Sequence, residues 1–148
     1  MTMKLNIPLL KKISETPGVP GFEKPIRDLL GKELKQMGMN ATTDNLGNLI
    51  VFKKGKEPKK VLAAAHMDEI GFIVNHIDEN GFLRFLPLGG FDPKTLTAQR
   101  VVVHGKKDLV GVMGSKPIHL MKAEEKNKKV EISDFFIDLG MGKKDVDK

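Results

Sequence analysis

Five apolar residues lead directly into a histidine and two carboxylates in the stretch Val61-Leu62-Ala63-Ala64-Ala65-His66-Met67-Asp68-Glu69. An apolar run without polar alternation is typical of a strand that is buried on both faces of an α/β sheet. A strand that ends in His-x-Asp holds the imidazole at the rim of the sheet, where the carboxylate can orient the ring or balance the charge of a cation. The stretch therefore predicts a central strand over residues 61–65 and candidate metal-site residues at His66 and Asp68.

The residues before this stretch predict two helices and a hairpin. A short helix is expected over residues 7–13, and apolar residues recur at helical spacing over residues 22–37. The turn Asn45-Leu46-Gly47 separates two short strands, at residues 41–44 and 48–53. Helix, helix, hairpin and central strand together suit the opening half of an α/β domain.

After Asp68 the pattern changes to short strands with regular turns. Hairpin turns at residues 78–81 and 105–108 are flanked by β-type segments, and a further strand is expected over residues 131–139. Such a series predicts a small β-barrel or sandwich. The sequence thus predicts two domains, residues 1–68 and residues 69–148.

Composition excludes several classes of site. The chain of 148 residues contains no cysteine, so disulfides, zinc–thiolate sites and thiol catalysis are excluded. No apolar stretch approaches the ~20 residues that a membrane-spanning helix needs, and no secretory signal is recognisable. We therefore expect no membrane association and a cytoplasmic location.

The net charge of +6 raises the possibility of a nucleic-acid partner. The lysines gather at residues 53–60, 122–129 and 143–148, in runs that contain no aromatic residue. Because the chain also lacks Tyr and Trp, base stacking would depend on Phe alone. Solvated loops and a charged tail are the favoured interpretation, and no nucleic-acid partner is expected.

The chain has four histidines, His66, His76, His104 and His119. A zinc enzyme with one metal generally needs three protein ligands and an open position. His76 and His104 lie within strand patterns and are interpreted as ordinary strand side chains, whereas His119 follows a loop. Spacing alone leaves open whether His66 is a metal ligand or a core histidine.

Several segments, taken in order, resemble the N-terminal part of the tetrahedral aminopeptidases, dinuclear metallopeptidases of clan MH that are also called glutamyl aminopeptidases, cellulase M or endoglucanase. The segments are Ser14-Glu15-Thr16-Pro17-Gly18-Val19-Pro20-Gly21-Phe22-Glu23, Thr43-Asp44-Asn45-Leu46-Gly47-Asn48, Ala65-His66-Met67-Asp68-Glu69-Ile70-Gly71-Phe72, Gly89-Gly90, Gly111-Val112-Met113-Gly114-Ser115-Lys116-Pro117-Ile118-His119 and Phe136-Ile137-Asp138-Leu139-Gly140. The ordered set covers nearly the whole chain, and no single motif would suffice.

The resemblance implies an α/β fold: the first part of an α/β/α aminopeptidase sandwich, followed by an inserted small β-barrel-like dimerisation domain that is incomplete here. It implies two divalent metal ions, zinc or cobalt, and a metal-bridging water that attacks the first peptide bond of a short peptide. It also implies homo-oligomers, from dimers to twelve-subunit tetrahedra.

Residue by residue, the resemblance implies that His66 is the first metal ligand and that Asp68 is a catalytic-site residue that supports the metal site without binding metal. His119 matches a motif position to which no ligand role is assigned. The remaining ligands and the catalytic glutamate lie beyond residue 148 in the family, so we expect no aminopeptidase activity from this chain alone. The alternative is a non-catalytic interaction module of the same fold, and a glycoside hydrolase is a weaker alternative.

Overall fold

The computed structural model describes residues 5–126 and 128–148. The chain divides into two compact units, Met1–Glu69 and Ile70–Lys148, and the boundary predicted from the sequence lies one residue earlier. Each unit has its own sheet. Within the described ranges, no helix combines the length and the apolar character that crossing a membrane requires.

The described residues of the first unit form two helices and a two-stranded sheet, in the order α1 (Ile7–Ser14), α2 (Lys24–Gln36), β1 (Ala41–Thr43) and β2 (Leu49–Val51). Helix α1 begins at Asn6, whose side chain accepts a hydrogen bond of 3.1 Å from the Leu9 N–H, and Pro8 stands in its first turn. Strands β1 and β2 are antiparallel. Both helices and the hairpin that the sequence predicts are therefore confirmed.

Asp44 closes the turn between β1 and β2. One carboxylate oxygen accepts hydrogen bonds of 2.9 Å from the N–H groups of Leu46 and Asn48, and the other accepts one of 2.8 Å from the Asn48 side chain. The Asn48 side chain and these backbone donors lower the pKa of the Asp44 carboxyl below its ordinary value, because they stabilise the charged form.

Replacement of Asp44 by alanine is expected to destabilise the hairpin at pH 7 and to have less effect in acid. A carboxyl whose pKa is lower in the folded state stabilises that state above its unfolded pKa of about 3.9, and the contribution is lost as the pH falls through the folded pKa. Urea unfolding by circular dichroism should show the gap between wild type and Asp44→Ala narrowing as the pH drops below about 4. Glu57→Ala, which removes an exposed carboxylate from the following loop, is the control; an equal gap at pH 7 and pH 2.5 would contradict the expectation.

The central strand predicted over residues 61–65 is wrong. The structure assigns no strand there, and the side chains of Val61 and Leu62 are 95% and 90% exposed. A strand buried on both faces needs hydrogen-bonded neighbours, but the sheet of the first unit contains only β1 and β2 among the described residues. The apolar composition of residues 61–65 therefore favours burial, but no neighbouring strand among the described residues covers this segment.

The second unit is a five-stranded sheet in the order β3-β4-β7-β6-β5, and every neighbouring pair is antiparallel. Its strands are β3 (Gly71–Ile77), β4 (Leu83–Leu88), β5 (Arg100–His104), β6 (Asp108–Ser115) and β7 (Phe135–Asp138). The two predicted hairpins are confirmed. Strands β3 and β5 form the edges of this sheet in the part of the chain that the structure describes, and closure into a barrel-like domain remains a prediction.

One face of this sheet carries the core. Its members are between 1% and 6% exposed: Leu83, Phe85, Leu96, Met113, Phe135 and Ile137. Strand β4 shows the alternation clearly, because Leu83 and Phe85 are buried while Leu86 is 52% exposed. The second unit therefore has a core of its own.

The strand predicted over residues 131–139 is shorter in the structure. A 3-10 turn, Ile132–Asp134, occupies its beginning, and β7 starts at Phe135. The Asp134 carboxylate accepts a hydrogen bond of 2.8 Å from the Glu131 N–H, which closes this turn. The other short elements of the unit are two 3-10 turns, Pro93–Thr95 and Ile118–Leu120, and two one-turn helices, α3 (Ala123–Lys126) and α4 (Lys143–Val146).

Candidate metal centre

The imidazole of His66 is held through its Nδ1 atom by Asp68. Nδ1 lies 2.9 Å from the Asp68 carbonyl oxygen and 3.2 Å from the carboxylate oxygen Oδ1. A carbonyl and an ionised carboxylate only accept hydrogen bonds, so both contacts are attractive when Nδ1 carries the proton. In the neutral ring Nε2 then presents its lone pair.

The end of the 61–69 stretch is tied to the loop between α1 and α2. The N–H of Glu69 donates a hydrogen bond of 2.9 Å to the carbonyl oxygen of Gly18. Gly18 is buried and packs against Ile26 of α2, itself 2% exposed. The turn that carries His66 and Asp68 is thus anchored on the most deeply buried part of the first unit.

The donor set fits one part of a metal site. An imidazole whose Nδ1–H is held by oxygen atoms is the usual form of a histidine that binds zinc or a similar divalent ion through Nε2. The His66 side chain is 84% exposed, so Nε2 is accessible, and Asp68 is 40% exposed. Among the described residues, however, no group of three or more His, Asp or Glu side chains is arranged to hold a metal ion. His66 therefore fits the role of a single ligand, with Asp68 as the group that orients it.

The other three histidines lie in the second unit, as separate side chains. His76 is in β3 and His104 is in β5, which confirms that both are strand residues. The His104 Nδ1 lies 2.9 Å from the Asp108 carboxylate across the β5–β6 hairpin. His119 is exposed in the 3-10 turn Ile118–Leu120.

Sequence reasoning missed the contribution of Gly18. The segment Pro17-Gly18-Val19-Pro20-Gly21 carries an evident signal for breaks in the chain. A hydrogen bond between backbone groups 51 residues apart leaves no side-chain signature, since any residue except proline supplies both groups. The absence of a Cβ atom at Gly18 was a signal that this position is closely packed.

Comparison with known proteins decides the family. The family model of the M42 glutamyl aminopeptidases matches residues 47–148, which include His66 and Asp68. The chain belongs to this family. The resemblance noted from the sequence motifs is thereby confirmed.

Relatives of this M42 family member include proteins named aminopeptidases and solved structures of TET peptidases. The lysyl aminopeptidase of Pyrococcus furiosus is 44% identical over 135 residues, which cover 89% of this chain and 39% of that protein. The crystal structure of a TET aminopeptidase from a marine-sediment thaumarchaeotal archaeon superposes with a TM-score of 0.87 at 34% identity, over 95% of this chain and 39% of that one. The TET1 peptidase of Pyrococcus horikoshii, which can assemble into a tetrahedron or a large octahedral shell, gives a TM-score of 0.78 at 38% identity, over 95% and 42%.

The M42 chain thus has a mixed α/β fold shared with these structures, and it spans about two-fifths of the length of the relatives that it matches. The matched portion contains the His-x-Asp turn.

Proposed function

We propose that this polypeptide is the N-terminal part of a metal-dependent aminopeptidase and that His66 provides the first metal ligand. The observation that carries the proposal is the geometry of the His-x-Asp turn in a member of the M42 family: Nδ1 of His66 is held by Asp68, and Nε2 is accessible. The substrate would be a short peptide, from which the N-terminal residue is released.

The roles of the residues follow from their contacts. His66 binds metal through Nε2, and Asp68 holds the ring in the tautomer and orientation that binding requires. A pair of zinc or cobalt ions, when bound, would supply an activated water and polarise the scissile carbonyl. The other ligands and the general base would come from residues outside this chain, in an α/β/α catalytic domain that the first unit begins.

The second unit is proposed to serve homo-oligomerisation, as an inserted barrel-like domain. Val102 and Val110 are paired across β5 and β6, and with Val112 they are between 44% and 65% exposed. An exposed group of valines on adjacent strands is a surface that a second subunit could cover. This patch also favours the second candidate function, a non-catalytic assembly module.

The test begins with the gene product isolated from its source cells at its natural length. A mass well above 16.4 kDa together with release of N-terminal residues, abolished by a chelator and restored by zinc or cobalt, would support the proposal. The polypeptide of residues 1–148, assayed in parallel, is expected to be inactive. Absence of metal-dependent hydrolysis by the natural product, with oligomers present, would support the assembly module instead.

A further inference from the structure

We propose that the loop around Gly18, in which Gly18 itself is buried, is a positioning element for His66, and that it acts through the peptide group that joins Asp68 to Glu69. The inference deepens the proposed metal site. It rests on the proposed function only in one respect, namely that His66 binds a metal ion through Nε2. It concerns residues of the first unit alone.

The two ends of this peptide group make one hydrogen bond each. The Asp68 carbonyl oxygen lies 2.9 Å from the His66 Nδ1, and the Glu69 N–H lies 2.9 Å from the Gly18 carbonyl oxygen. In a trans peptide the C=O and N–H point in opposite directions, so one bond faces the histidine and the other faces the loop. The backbone therefore links Gly18 to the imidazole through one rigid plane.

The two bonds strengthen each other. A carbonyl that accepts from the Glu69 N–H polarises the whole peptide group, which makes the Asp68 oxygen a better acceptor for the His66 Nδ1–H. The contact between the His66 Nδ1 and the Asp68 Oδ1 is longer, at 3.2 Å, and the Asp68 side chain is 40% exposed. The backbone bond is thus the shorter of the two contacts that hold the Nδ1 proton in place.

Helix α2 sets the position of the Gly18 carbonyl. A Cβ atom at position 18 would lie 2.5 Å from the Ile26 Cγ2 and 3.2 Å from the Ile26 Cβ, both too close for an unstrained contact. Because Ile26 is fully buried, it cannot move aside without a rearrangement of the unit. Glycine at position 18 is therefore required for space, and it lets the carbonyl approach the turn that carries His66.

Gly18→Ala is expected to push the loop away from α2 and to break the bond to Glu69. The peptide plane would then turn, and His66 would no longer hold its proton on Nδ1 alone. The test is the ¹⁵N spectrum of the histidine rings in the polypeptide of residues 1–148 at about pH 8.5, where imidazole is neutral. Wild type should show the Nδ1–H tautomer at His66, and Gly18→Ala should show a mixture of both tautomers.

Two controls accompany this measurement. Gly31→Ala adds the same methyl group on α2, where a Cβ meets nothing within 4 Å, and should leave the His66 signals unchanged. His104, bonded to Asp108 in the second unit, is an internal reference in every spectrum. Removing the clashing Cγ2 in the double variant Gly18→Ala with Ile26→Ala should restore the Nδ1–H tautomer even though a buried side chain is lost.

A folded Gly18→Ala variant with an unchanged His66 tautomer would overturn the proposal. Should that variant not fold, replacement of the Asp68–Glu69 amide by an ester removes the donated N–H without the restriction that a proline would place on the Asp68 backbone, and it is expected to give the same mixed tautomer. In wild type, the Glu69 amide must also be protected from hydrogen exchange; a freely exchanging amide overturns the proposal whatever the variants do. None of these readouts uses metal or hydrolysis, so an inactive enzyme with the expected spectra would count against the proposed function only.

Discussion

Replacement of His66 by alanine is expected to reduce kcat/KM for hydrolysis of an aminoacyl-p-nitroanilide by a factor on the order of 10³ or more. Metal polarisation of the carbonyl and activation of water are worth several kcal/mol of transition-state stabilisation, and each ~1.4 kcal/mol is a factor of ten in rate. If His66 is the first ligand, as proposed, its loss removes a share of both effects. The assay uses the gene product at its natural length, with saturating zinc or cobalt.

Two further substitutions separate the role of a ligand from general damage. Asp68→Ala removes the carboxylate but keeps the backbone carbonyl that holds Nδ1, so we expect a smaller loss, about 10- to 100-fold. His104→Ala removes a histidine that also contacts a carboxylate, but from the second unit, and should leave kcat/KM unchanged. If His66→Ala retained activity within a factor of about ten, His66 would not be a metal ligand.

Replacement of Leu83 by alanine is expected to destabilise the second unit by about 2–5 kcal/mol. Leu83 is 3% exposed and faces the core from β4, opposite Ile137 of β7 and in the same core cluster as Phe135. Its truncation removes buried methyl groups and leaves a cavity that the sheet cannot fill by collapse. Urea unfolding followed by circular dichroism measures the loss, since the chain has no Trp or Tyr for fluorescence.

The matched control is Leu86→Ala on the same strand. Leu86 is 52% exposed and lies opposite Ile73 of β3 on the other face of the sheet. The same chemical change there should cost less than about 1 kcal/mol, the range of a cross-strand pair. Equal losses for the two variants would mean that the core does not lie on the face that carries Leu83.

Prediction from the sequence succeeded where the signal was local. Helix α2 follows from the helical spacing of its apolar positions. The hairpins follow from the turn residues at 45–47 and 78–81, and in the structure the carboxylates of Asp44 and Asp78 accept hydrogen bonds from backbone N–H groups two and four residues ahead. A hydrogen bond between residues that are close in sequence can be predicted without knowing the rest of the fold.

The same reasoning failed where partners were needed. Residues 61–65 have the composition of a buried strand, yet Val61 and Leu62 are almost fully exposed. Composition states which environment a segment prefers, but hydrogen bonds to neighbouring strands decide whether it becomes a strand. The His-x-Asp motif that follows was nevertheless recognisable, because both of its members lie within three residues.

The amino-acid sequence by itself determined the family, the local elements and the pair His66–Asp68. Those properties depend on residue identities and on short spacings, and both can be read directly from a single sequence. Only the tertiary structure decided that Asp68 meets His66 through its backbone as well as its carboxylate, and that the Glu69 N–H bonds to Gly18. Backbone groups are alike at every residue, so their long-range pairing depends on packing, here on the buried contact between Gly18 and Ile26.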